Sequence, residues 1–245
     1  MPIYHPDHIE YAINTGRIQI AMEDGSRLPA YWAHPSIGDV FPGVVLIHDW
    51  WGITDVERTL ANLFGQMGYY VIVPDLFHGK IASNPREAME LVKQLDDGHG
   101  YNYVDTSLQV LETHHRSNRS VAAIGMGMGG SLAFEAAINR PDLEAAVSFC
   151  GFPQRYLGKF DNAPTPILAF YGSREPHVPK KVINRLRREF KAAKLNHEIV
   201  MIEGATRDFF TNNRHDFSKA VLIKTLAFLE KHLEQSKRRP ASRVM

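Results

Sequence analysis

The strongest constraint on this chain is a recurring pair, a short run of consecutive apolar residues followed by a segment with helical spacing. The runs at Val44–His48, Val71–Pro74, Val121–Gly125, Ala145–Phe149 and Ile167–Tyr171 are apolar almost throughout. A strand buried on both faces reads this way, whereas a strand with one solvated face alternates. Helical spacing predicts helices at Val56–Met67, Pro85–Leu95, Tyr103–His115, Gly130–Asn139, Pro179–Ala193 and Ser218–Leu233, with Gly68 closing the first. Two earlier strands are expected at Ile18–Met22 and Pro29–His34 around an Asp24-Gly25 turn, and a last one at Glu198–Ile202. This order predicts an α/β fold: a mostly parallel, doubly wound sheet of about eight strands covered by helices on both faces. The 245 residues fit one domain, expected over 1–236, with a mobile tail at 237–245 made basic by Lys237, Arg238, Arg239 and Arg243.

Charge and composition narrow the function. Lys and Arg number 28 against 27 Asp and Glu, so no basic excess exists to neutralise a run of phosphates, and nucleic acid is not an expected partner. The single cysteine, Cys150, excludes an intramolecular disulfide and a cysteine-cluster zinc site. No apolar run reaches the roughly 18 residues of a membrane span, and the first residues lack the charged-then-apolar pattern of a secretory signal. A cytoplasmic protein without a membrane partner is expected.

In an open parallel sheet, ligands sit where the strands end. The segments there, HDWWGIT, GYYVIVPDLFHG, GMGMGGSLAF and YGSREPHVP, resemble those of the dienelactone hydrolase family, from roughly Ile18 to Leu233. The resemblance implies the α/β-hydrolase fold. It also implies hydrolysis of lactone or ester bonds by a Cys or Ser nucleophile, an Asp and a His, without metal or cofactor. Here the family's positions are filled differently. The centre of the Gly-x-Cys/Ser-x-Gly-Gly elbow is Gly127, the acid position is Glu175, and the base position is Arg207. Glycine has no side chain to attack a carbonyl, and a guanidinium cannot accept the nucleophile's proton. The expectation is a degenerate triad: Gly127 keeps the strained turn at low cost, and Glu175 pairs with Arg207 across two loops.

By the same resemblance, the amides of Trp50 and Met128 supply the two donors of an oxyanion hole, a seat for a small carbonyl compound or small anion. Asp49 matches a glutamate that controls the nucleophile in some relatives, and is expected as a polar group of the pocket. Trp50-Trp51 and Phe77 suit an apolar rim, with His78 beside them. Cys150, at a strand end, is a candidate substitute nucleophile, with Ser131 and Ser173 less well placed. His48, His78 and His177 also follow strands, but their spacing carries no metal motif. His34 and the His114-His115 pair read as surface or strand-edge residues. Gly125, Gly127 and Gly130 mimic a nucleotide loop without the ribose carboxylate that should follow about 20 residues on. The expected function is non-catalytic binding of a small molecule or a protein. The alternative is an ester or lactone hydrolase using Cys150 or a water activated by Asp49.

Overall fold

The computed structural model describes residues 10–38, 40–95, 98–193, 196–209 and 215–236. The expected basic tail lies outside the described residues. Eight strands form one sheet: β1 (Ile13–Ala21), β2 (Arg27–Pro35), β3 (Phe41–Ile47), β4 (Tyr70–Pro74), β5 (Ser117–Met126), β6 (Ala145–Phe149), β7 (Ile167–Gly172) and β8 (Glu198–Ile202). Their spatial order is β1-β2-β4-β3-β5-β6-β7-β8. The first two strands are antiparallel to their neighbours, and β4, β3 and β5 through β8 run parallel. Among the described residues there are six α-helices: α1 (Asp55–Gln66), α2 (Pro85–Lys93), α3 (His99–Thr113), α4 (Met128–Asn139), α5 (Lys180–Ala192) and α6 (His215–Ser236).

The central strands alternate between two cores. Val45, Ile47, Val121 and Ala123 face a layer with α3, α4 and α5, and Val44, Leu46, Ala122 and Ile124 face a layer with α1 and α6. Burial on both sides explains why these runs contain no polar alternation. Where the sequence signal is weak, boundaries shift. Asn14, Thr15, Gly16 and Arg17 have no apolar pattern, yet they pair with β2 and lengthen β1. Likewise α3 starts at His99, after Gly98 makes the turn with φ 86°, earlier than the apolar spacing indicates. No helix among the described residues is long and apolar enough to cross a membrane.

Candidate functional site

β3 and β5 are adjacent and parallel, in register up to Ile47 and Gly125. The loops leaving them therefore meet above the middle of the sheet. Gly127 holds φ 51° and ψ −109°, a sharp turn between β5 and α4 that is neither helical nor extended. The expected elbow is present. A Cβ at this position would fall on the Asp49 carboxylate. A side chain from the end of β3 thus fills the volume that a nucleophile would use.

The Asp49 carboxylate also takes the expected hole. Its Oδ1 accepts hydrogen bonds from the amides of Trp50 (2.8 Å) and Met128 (2.9 Å). The anticipated open seat for a carbonyl compound or small anion is therefore corrected: its two donors are already satisfied by an anion of the protein. The position is favourable because Met128 opens α4, whose N-terminal amides and dipole attract negative charge. Gly127 has no side chain to cap that helix. Among the described residues, no donor reaches the second oxygen, Oδ2, and no cation forms an ion pair with Asp49.

His48 holds this loop in place. It is fully buried, and its Nε2 accepts from the amide of Leu76 at 3.1 Å. Its Nδ1 then carries the proton and donates to the Asp49 carbonyl at 2.6 Å. Burial lowers its pKa, keeping the ring neutral.

At the acid and base positions, Glu175 Oε1 lies 3.5 Å from Arg207 Nη1, the expected ion pair. The Glu175 side chain is 1% exposed and also accepts from the amide of His177 at 2.9 Å. Arg207 Nη2 donates to the Cys150 carbonyl at 3.3 Å, and its guanidinium lies 5.0 Å from the centre of the Phe152 ring. Arg207 therefore links three loops and offers no lone pair.

Cys150 does not line the cavity. Its thiol is buried and points to the Arg207 carbonyl at 3.8 Å. Burial first, and then the nearby Glu175 charge, push its pKa up. The thiol thus lies away from the cavity lining, and its burial disfavours the thiolate. The Ser131 hydroxyl donates to the Gly127 carbonyl (3.3 Å) and accepts from the Phe152 amide (2.9 Å). Ser173 bridges Glu203 and the Gly204 amide. Phe77 is corrected from rim to core, since it is buried with its ring 4.9 Å from that of His48. His78 is exposed and within 3.2 Å of the Tyr103 hydroxyl, away from the cavity lining. His34 is also corrected: it is buried, stacked on Tyr70 at 4.7 Å. Among the described residues, no three His, Cys, Asp or Glu are grouped to hold a metal ion.

Above the elbow lies a cavity of about 910 Å³. Asp49, Trp50, Trp51 and Met128 line it, and so do Ser131, Leu132 and Glu135 on one face of α4. Val92, Leu95 and Tyr101 come from the α2–α3 region. Phe152, Arg155, Tyr156 and Lys159 follow β6, and His177, Thr206 and Arg207 complete the wall. The Trp50 and Trp51 rings meet at 5.1 Å, and the Tyr156 hydroxyl donates to Glu135 at 2.8 Å. Sequence reasoning missed Glu135 and Tyr156. A carboxylate three and seven residues beyond Leu132 and Met128, on a helix otherwise small and apolar, was the available signal for Glu135.

Comparison with known proteins follows the same outline. A family model described as the dienelactone hydrolase family matches residues 28–233. Protein usf of Aquifex pyrophilus is 27% identical over 206 residues, covering 79% of this chain and 87% of that protein. A candidate carboxymethylenebutenolidase of Yersinia pestis is 24% identical over 233 residues, 87% of each chain. Among solved structures, a candidate dienelactone hydrolase of Klebsiella pneumoniae superposes with a TM-score of 0.81 at 23% identity, covering 90% of this chain and 99% of that one. The dienelactone hydrolase of Anabaena variabilis gives 0.70 at 17% identity, over 90% and 99% of the two chains. At these identities, the structural likeness is one of fold.

Proposed function

Because this chain belongs to the dienelactone hydrolase family, we propose that it is a member without triad hydrolysis, and that it binds a small molecule in the cavity above the elbow. One observation carries the reading: the Asp49 carboxylate rests on the Trp50 and Met128 amides, over a glycine at position 127. Ester hydrolysis through a covalent intermediate needs a nucleophile, a base within reach, and donors free to meet the developing oxyanion. Here the first is a hydrogen atom, the second a guanidinium, and the third are occupied. An oxyanion forming at this seat would meet a like charge. The cavity itself remains large and walled by aromatic rings, a shape that suits small-molecule binding.

The test is multiple-turnover hydrolysis of p-nitrophenyl acetate and a small lactone panel by the full chain, beside Cys150→Ala and Asp49→Ala. The expected outcome is turnover indistinguishable from buffer in all three proteins. Turnover abolished by Asp49→Ala would overturn the reading in favour of water activated by that carboxylate. Turnover abolished by Cys150→Ala would point to the thiol instead.

A further inference from the structure

We propose that the floor of this cavity selects a protonated amine, a primary or secondary ammonium carried on an apolar or aromatic body. The inference rests on the reading of the cavity as a ligand site and names the chemistry it takes. Asp49 lines the cavity with one oxygen held by two backbone amides. The other oxygen has no donor among the described residues. Asp49 is half-buried and that oxygen stays accessible, so a donor carried by a ligand in the cavity can replace water on it.

An ammonium supplies up to three N–H donors and a compensating charge, the pairing in which hydrogen bonds are strongest. The Trp50 and Trp51 indoles, with ring centroids 5.1 Å apart, line the same cavity and add aromatic surface of the kind that attracts a cation. A ligand carbonyl or carboxylate placed there would set acceptor against acceptor. The cavity also holds three cations and a second carboxylate, Glu135. Arg207 is paired with Glu175 and bonded to the Cys150 carbonyl, while Arg155 and Lys159 are exposed residues of the turn after β6. Filling the vacated nucleophile volume with Asp49 thus inverts the polarity of the seat, from one that receives a forming anion to one that receives a donor.

The experiment titrates three matched probes, 2-phenylethylamine, 3-phenylpropionate and methyl 3-phenylpropionate, into the full chain at pH 7.5, following tryptophan fluorescence and heat. We expect the amine to bind about tenfold or more tightly than the other two, and Asp49→Asn to lose that advantage. Asp49→Ala serves as a second variant, and thermal melts check that each protein is folded. Preference for the acid or ester, or an amine affinity unchanged in both variants, would overturn the inference and leave the cavity a binding site. No saturable signal from any probe would overturn the binding reading together with it.

Discussion

At position 127 the absent Cβ has two consequences that belong together. It leaves the elbow without a side chain, and it opens the volume into which Asp49 settles. Gly127→Ala would place a methyl on that carboxylate at φ 51°, where a side chain is also strained. The expected cost is about 1–3 kcal/mol of unfolding free energy in urea titration. In an Asp49→Ala background the same substitution should cost measurably less, since the displaced group is gone. Additive losses would mean that the two positions are independent. Cys150 gives a second prediction at this scale. Its burial and raised pKa should leave the native protein unreactive to a thiol reagent at pH 8, with one equivalent appearing on denaturation. The residue types at 127, 175 and 207 were legible in the sequence once the family resemblance marked those positions. The place of Asp49 was not, because it depends on where a loop from another strand falls.

Among the elements, α4 joins the site to the core. Its face at Met128, Ser131, Leu132 and Glu135 borders the cavity, while Phe134, Ala136 and Ala137 are buried. Its far end is tied to α3 by Arg140, whose guanidinium meets Glu112 at 2.8 Å, Asp142 at 2.8 Å and Asp105 at 3.3 Å. Arg140→Ala would leave three carboxylates facing each other without their cation. We expect a loss of about 2–4 kcal/mol in chemical denaturation, with ligand binding at the other end of the helix retained once the variant is folded. Strands and helices with strong periodicity were read from the sequence nearly to their ends, as for β6 and β8. By contrast, the first residues of β1 carry no pattern, because hydrogen bonding to β2 rather than side-chain burial makes them a strand.

For the whole molecule, the histidines set the response to acid. Burial holds His34, His48, His114, His197 and His232 below the ordinary value of 6.5, His197 at about 4. Below pH 6.5 each therefore takes up a proton more readily in the unfolded chain than in the fold. Their contribution is therefore complete above pH 6.5 and is lost as pH falls from there toward the folded values. Urea unfolding at pH 7.5, 6 and 5 should show stability falling steadily, with His197 alone accounting for about 1–2 kcal/mol by pH 5. His197→Phe should flatten part of that slope. A stability independent of pH across this window would contradict the assignment of buried neutral rings. From sequence alone came the doubly wound sheet, the family resemblance, and Gly127, Glu175 and Arg207 at the positions that resemblance marks, since apolar runs, motif glycines and residue type are properties of neighbours along the chain. Only the tertiary structure decided that His34 and Phe77 are buried, that Cys150 lies away from the cavity lining, and that Asp49 closes the hole. Those outcomes depend on distances between strand ends far apart in sequence, which packing sets and spacing does not encode.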